Sequence, residues 1–455
     1  MPSSPKPGLT RREALKGAAA ATAAASCGTG GDSGTASGPG SIDTIIIVMM
    51  ENRSFDHWLG ARKLLEGAAE DGLTDTMSNP GTDGSPVAPY AEAAPCPSDP
   101  PHGWTSCHDQ WNQGQNDGFV TEYAARNGTD GTGVMAYQTR ETAPISWALA
   151  DSFGVCDQYF CSVMGPTWPN RFYAHMASSE GKQDNSLPDG SAGFTEMNIW
   201  KALSAAGVDW GYYYSDLPIL GLMADTWDDS RVGMVEDFYA KAEAGTLPPV
   251  VWLDPAFSYN DNHPPHHPGL GERFLASIYE ALAASPQWER CLLILTYDEH
   301  GGFFDHVAPG TCQDDHAKDG FDQLGFRVPT LLIGPWVKQG AISTPFDHTS
   351  WLKMVCETHG IDPWNTRLKW ATSLAEGIDQ DRLARNEPLP PVALPAFDFD
   401  PETVGEECFY GQTLPRPLQV LRDHCEAQGF PYRLADRGAV VGPFVRQWKR
   451  RGLVS

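Results

Sequence analysis

Four short, uninterrupted apolar runs limit what this chain can fold into: Thr44–Met50 (TIIIVMM), Val250–Leu253, Leu292–Tyr297 (LLILTY) and Val328–Ile333 (VPTLLI). None alternates polar with apolar residues, so none can keep one face in water. Each reads as a strand covered on both faces, as in a parallel sheet flanked by helices. Cap residues and helical spacing place helices at Pro144–Phe153, Asn170–Ala177, Asn198–Ala206, Ser230–Ala244, Gly271–Ala284 and Ser350–Thr358. The expected fold is α/β, a three-layer α/β/α sandwich. Gly- and Pro-rich stretches at 69–116, 254–269 and 387–401 read as long loops over the strand ends.

Two of the strands end on acid. Glu51-Asn52 follows TIIIVMM, and Asp298-Glu299 follows LLILTY. Ligands of open α/β sheets bind outside the carboxyl ends of strands, and packing gives little reason for carboxylates there. Three carboxyl side chains and one amide oxygen form a hard-oxygen set suited to one divalent metal ion. Gly165-Pro166-Thr167-Trp168-Pro169-Asn170-Arg171 reads as a helix start, because proline is favoured in the first turn. Thr167 is there either a cap or a nucleophile, and the donors of the first turn, with Asn170 and Arg171, suit a phosphoryl oxygen. His102, His108 and His263 lie in loops, where an imidazole can donate to a phosphoryl oxygen or protonate a leaving group.

The balance of 32 Lys and Arg against 58 Asp and Glu gives a net charge of −26, which excludes a protein that tracks nucleic-acid phosphates. Thr10-Arg11-Arg12-Glu13-Ala14-Leu15-Lys16 and the mildly apolar stretch after it read as a twin-arginine export signal over residues 1–26, engaging the twin-arginine translocation machinery. Cys27 and residues 27–41 read as a flexible tether, with lipidation of Cys27 and simple secretion both open. Loss of Lys6, Arg11, Arg12, Lys16 and Glu13 with the signal takes the charge from −26 to −29, so positive potential for an anionic substrate has to be local. In an oxidising compartment the local pairs Cys96–Cys107, Cys156–Cys161 and Cys408–Cys425 are candidates for disulfides. A small basic amphipathic tail with Phe444, Arg446, Trp448 and Lys449 reads as a terminal helix, peripheral membrane contact being the alternative.

Four blocks then carry a resemblance: MMENRSFDHWLG (49–60), SVMGPTWPNRFY (162–173), HPP followed by GERFLASI (263–278) and LTYDEHGGFFDHV (295–307). In order and spacing they resemble the bacterial phosphoesterase family that includes secreted phospholipases C and an acid phosphatase, whose core is similar to alkaline phosphatase. The resemblance runs from about 42 to 358. It implies that Glu51, Asn52, Asp298 and Glu299 hold the metal, that Thr167 is the nucleophile, and that His102 and His263 bind phosphate or assist the leaving group. It implies an exported phospholipase C acting on a phosphate ester, a phospholipid head group among the candidates. A phosphomonoesterase and a catalytically inactive surface lipoprotein are the alternatives. A sulfatase is disfavoured, since neither Cys nor Ser stands at position 167 for conversion to an aldehyde hydrate. The bulky Trp168 beside the hydroxyl departs from the family pattern. The chain thus divides into the signal (1–26), the tether (27–41), a catalytic domain (42–358) and a C-terminal extension (359–455) expected on the same core, with no recognisable role.

Overall fold

The computed structural model describes residues 40–94, 96–187, 193–397, 399–400, 404–410 and 413–434. The export signal, residues 27–39 of the tether and the basic tail after residue 434 lie outside the described residues. Among the described residues no helix is long and apolar enough to cross a membrane.

Eight strands form one sheet: β1 (Thr44–Met50), β2 (Gly154–Val155), β3 (Trp210–Tyr214), β4 (Val232–Met234), β5 (Val250–Asp254), β6 (Cys291–Tyr297), β7 (Leu331–Ile333) and β8 (Gly340–Ala341). Their order is β8-β2-β7-β6-β1-β5-β3-β4. β1 is central and runs parallel to β6 on one side and β5 on the other. Val48 stands opposite Leu253 and Met50 opposite Tyr297, so the residues that follow each strand emerge at one rim. Every residue of β1, β5 and β6 is buried, so both faces of the sheet are covered.

The cover is two sets of mutually packed helices. One contains α1 (Pro144–Ser152), α4 (Val235–Ala244) and α5 (Pro268–Ala283); the other contains α2 (Thr167–Met176), α3 (Ile199–Ala205) and α6 (Thr349–His359). The three-layer α/β/α architecture follows. Trp252 of β5 lies 5.7 Å from the ring of Trp351 in α6, which in turn lies 6.3 Å from Trp200 in α3.

Two expectations are corrected. The run Val328–Ile333 yields a strand only at Leu331–Ile333, and it is antiparallel to both β6 and β2. The physical reason is the connection: residues 298–330 contain only a short 3₁₀ turn and no crossover helix, so the chain stays at the carboxyl rim and returns the other way. The disulfide joins Cys96 to Cys408, across 312 residues of sequence, and Cys107, Cys156, Cys161 and Cys425 are free and buried. Local spacing suggested pairs, whereas the folded chain brings distant segments together. Leu368, Leu374, Ile378, Leu418 and Leu421 pack into the same core as the sheet, so the part beyond residue 358 shares that core.

Much of the conserved-looking sequence around the strand ends is scaffold. Arg327, fully buried, donates from Nε to Asp305 Oδ1 (2.9 Å) and from Nη2 to Asp56 Oδ1 (3.1 Å), and His306 Nδ1 lies 2.7 Å from Asp56 Oδ2. The loops after β1 and β6 are thereby bolted to each other. Asp56, Asp305 and His306 sit close enough together for a cation, and the guanidinium already fills that need.

The start of α1 shows a buried acid serving as a cap. Glu272 of α5 accepts from Ile145 N–H (2.6 Å) and Ser146 N–H (3.0 Å), donors that the helix itself cannot satisfy. Burial pushes its carboxyl up from 4.5 to about 7, against the pull of those hydrogen bonds. A raised acid binds its proton more tightly folded than unfolded, so its contribution to stability is whole below pH 4.5 and is lost as pH rises through 7. Melting followed from pH 4.5 to 8 in native chain and Glu272→Gln should show the native chain losing on the order of 1–3 kcal/mol more than the variant. Parallel curves would reject the assignment.

Candidate functional site

The carboxyl rim of β1, β5 and β6 holds a cleft of about 180 Å³. Glu51, Asp99, His102, Thr167 and His263 line it together with the apolar or aromatic side chains of Ile219, Phe257, Tyr410 and Leu418. Thr167, His102, His263 and Glu51 therefore meet in one place, drawn from four separate segments. Trp168 is buried against the same cleft.

Thr167 is the first residue of α2, as Pro169 in the first turn implied, so the helix begins three residues before the segment Asn170–Ala177 read from helical spacing. The turn before it is held by Asn170. Its amide donates to the carbonyls of Val163 (3.2 Å), Gly165 (3.0 Å) and Pro166 (3.2 Å), and its Oδ1 accepts from Val163 N–H (2.9 Å). That commits the whole side chain to the loop presenting Thr167. Trp168 N–H donates to Asn185 Oδ1 at 2.8 Å and Pro169 has no N–H, so two of the first three backbone donors of the helix are not open to an anion.

Arg171, one turn on, is fully buried. Nε donates to Asp298 Oδ2 (3.1 Å) and lies 3.3 Å from Glu51 Oε1; Nη1 donates to Asp254 Oδ1 (3.2 Å); Nη2 donates to the carbonyls of Met49 and Met50, both at 3.2 Å. It faces the strand ends rather than the cleft lining. His108 is also placed apart from the lining: Nδ1 donates to Trp104 O (2.7 Å) and its ring lies 4.8 Å from that indole.

The four residues expected to hold a metal lie at the same strand-end rim. Asn52 takes a left-handed conformation at φ 58°, and its N–H donates to Asp298 Oδ1 at 3.1 Å. Gly301, at φ 66°, approaches so closely that a Cβ would lie 2.2 Å from Asn52 O, and its N–H donates to Glu299 Oε2 (2.7 Å). The double glycine of DEHGG thus lets the two strand-end loops touch. Fixed this way, Asn52 Oδ1 and Glu299 Oε1 are buried with no hydrogen-bond partner. Orphaned oxygen acceptors beside crowded carboxylates are what a hard cation satisfies. Four buried carboxylates (Glu51, Asp254, Asp298 and Glu299) face Arg171 and His102, and a fifth, Asp261, faces His266. Burial, and next the Asp298 carboxylate, raise Glu51 well above the carboxylate range; burial lifts Glu299 to about 8, with His102 opposing. Among the described residues, the group at the cleft whose ligand atoms lie close enough together for a cation is Asp99, His102 and His263; the carboxylates of Glu51, Asp298 and Glu299 do not close to that distance, and the Arg171 guanidinium lies against two of them.

The imidazoles are split by their surroundings. Burial pulls His102 down, but Glu299, 3.7 Å from Nε2, and Asp99, 3.5 Å from Nδ1, outweigh it and lift the ring to about 9. Burial takes His263 down to about 4. Asn52 Nδ2 lies 3.2 Å from His102 Nε2, and the centroids of the two imidazole rings are 5.7 Å apart, so both histidines face the same cleft.

Sequence reasoning missed several contributors. Asp254 ends β5 as Glu51 follows β1, and the same strand-end signal marks it. Asp261 accepts from His263 N–H (2.9 Å) and lies 2.6 Å from His266 Nδ1, orienting the HPP loop. His348, just before α6, donates from Nε2 to Asp298 O at 2.6 Å. Tyr410, Pro415, Pro417 and Leu418 come from the extension to which no role was given.

Breaking a buried ion pair from one side leaves the other charge stranded. Arg171→Met should therefore cost about 3–5 kcal/mol in urea denaturation, and Arg171→Lys, which keeps the charge but not the fork, should fall between. A native midpoint for the Met variant would remove Arg171 from this role.

The comparisons agree with the motifs. The Phosphoesterase family matches residues 42–362. Non-specific phospholipase C1 of Arabidopsis thaliana is 35% identical over 351 residues, covering 68% of this chain and 66% of the relative, just under two thirds of its length. Phospholipase C B of Mycobacterium tuberculosis is 32% identical over 441 residues, covering 78% and 82%. Hemolytic phospholipase C of Pseudomonas aeruginosa is 32% identical over 408 residues, covering 71% and 54%. A solved structure from Vibrio parahaemolyticus, described as a protein in the alkaline phosphatase superfamily, aligns over 81% of this chain and 77% of its own at 10% identity, with a TM-score of 0.39. With the family match spanning both strand-end motifs, Thr167 and the histidine loops, this chain belongs to the Phosphoesterase family.

Proposed function

We propose that the chain is an exported, metal-dependent phosphoesterase of the phospholipase C type, with Thr167 as nucleophile and a covalent phosphothreonine between its two half-reactions. The observation that carries this is the cleft itself, where Thr167, Glu51, His102 and His263 line one space, with the buried acceptor oxygens Asn52 Oδ1 and Glu299 Oε1 lacking a hydrogen-bond partner. Glu51, Asn52, Asp298 and Glu299 would hold a divalent ion, which would supply Lewis acidity toward a hydroxyl and a phosphoryl oxygen. Thr167 Oγ attacks phosphorus in line with the departing alkoxide; His263 takes the hydroxyl proton as the P–O bond forms, and His102, in its protonated form, gives a proton to the alkoxide as its bond to phosphorus breaks. Water then attacks the phosphothreonine, His102 takes its proton, and His263 returns one to Thr167 Oγ as the phosphate monoester leaves. Asn170 and Arg171 act as positioning residues, the first for the Thr167 turn and the second for the carboxylates.

The names of the relatives favour a diester over a monoester, and phospholipid as substrate class. Purified chain should cleave bis(p-nitrophenyl) phosphate and phosphatidylcholine vesicles in preference to p-nitrophenyl phosphate. Thr167→Ala and exhaustive chelation should each lower turnover by roughly three orders of magnitude. Undiminished activity in Thr167→Ala would falsify the nucleophile, full activity after chelation would reject the metal, and a preference for the monoester would replace the reading with a phosphatase.

Export rests on Arg11 and Arg12 of the signal. Arg11→Lys with Arg12→Lys should leave the protein in the cytoplasm on fractionation; normal export of that variant would show the signal to be misread.

A further inference from the structure

Among the described residues, two groups of three side chains bring their ligand atoms within 4.8 Å of one another. In the first, Asp56, Asp305 and His306, the Arg327 guanidinium already pairs with both acids. The second, Asp99, His102 and His263, lies at the cleft. Its rings are turned for coordination. His102 Nδ1 donates to Pro100 O at 2.7 Å and His263 Nδ1 donates to Pro264 O, so the lone pair of each neutral ring lies on Nε2. A backbone carbonyl fixes the tautomer of metal-binding imidazoles in this way. Glu299 Oε1, buried with no hydrogen-bond partner, lies 3.7 Å from His102 Nε2 and offers a further acceptor. Asp99 is held by its loop, through the Cys96–Cys408 bond three residues before it and the Asn127 amide, which donates to Asp99 O at 3.2 Å. Its side chain is 47% exposed, so an ion reaches it from solvent.

Two imidazole nitrogens and a carboxylate oxygen suit zinc, with a fourth position left to water or Glu299, whereas magnesium and calcium favour oxygen shells. We propose that Asp99, His102 and His263 form a zinc site beside the rim carboxylates, and that its occupation arrests turnover. The arrest rests on the reading of the two imidazoles as proton carriers. A coordinated Nε2 has no lone pair to take the Thr167 proton and no proton to give the departing alkoxide.

Binding is read apart from catalysis. Tag-free chain is stripped with chelator and held in excess of whichever of magnesium or calcium supports turnover. It is then titrated with cobalt(II), whose visible bands report four-coordinate ligation, and with zinc as competitor. The native chain should show those bands and lose them to zinc. Asp99→Asn should weaken zinc about tenfold, and His263→Ala at least as much. His316→Ala, which removes a partly exposed imidazole near Glu180 and Asp319, should bind as the native chain does. Cleavage of bis(p-nitrophenyl) phosphate in the same buffer should fall in step with zinc occupancy, and Asp99→Asn should need about tenfold more zinc for half inhibition. Melting temperatures identify any variant that fails to fold, and the exposed position of Asp99 makes its variant the decisive one. Zinc affinity unchanged within about twofold in folded Asp99→Asn, or lowered only in His316→Ala, would overturn the site whatever turnover does. If zinc binds as stated and saturation leaves turnover unchanged or raised, the site stands, and the arrest falls together with the reading of His102 and His263 as proton carriers.

Discussion

The geometry of the rim depends on one buried guanidinium. Arg171 reaches the ends of all three central strands, through the carbonyls of Met49 and Met50, the Asp254 carboxylate and the Asp298 carboxylate, with Glu51 alongside. A guanidinium suits this task because its planar fork offers five donors and does not lose its proton when buried. It also sits four residues after Thr167, on the same face of α2. A single side chain thus ties the start of α2, where Thr167 stands, to the acids at the strand ends.

That arrangement explains which parts of the site were legible in sequence. Continuous apolar runs mark buried strands, so the ends of TIIIVMM and LLILTY, and with them Glu51, Asn52, Asp298 and Glu299, could be found without coordinates. Asp254 carried the same signal at the end of VVWLD and was passed over as the start of a loop. What a run of apolar residues does not encode is direction, which is why β7 was misread as parallel. Donor chemistry is equally visible in Asn170 and Arg171, but where a donor points is set by packing. One turns back on its own loop and the other inward to the strand ends. A link such as Cys96–Cys408 is invisible to spacing, because it is created by the fold that brings residues 312 apart into contact.

The two most distinctive motifs divide into halves with different duties. In ENRSFDH and DEHGGFFDH the leading residues supply oxygens at the rim, while Asp56, Asp305 and His306 close on Arg327 below it. Motif specificity therefore reflects two demands at once: ligands need fixed positions, and loops that carry them need anchoring where regular hydrogen bonding stops. The glycines between the halves belong to the second demand, since Gly301 permits backbone contact with Asn52.

Charge then becomes the deciding consideration for substrate binding. A chain at −26 does not attract phosphate esters from a distance, so the cleft must hold them by local means. Three local sources were apparent in sequence: the helix start at Thr167, Arg171 and a bound cation. The first is reduced, because Asn185 takes the Trp168 N–H and Pro169 has none. The second is already neutralised by Glu51, Asp254 and Asp298. On the proposed reading the work falls to His102 and to a divalent ion at the strand-end carboxylates, so metal and substrate should bind as a coupled pair, each raising the affinity for the other.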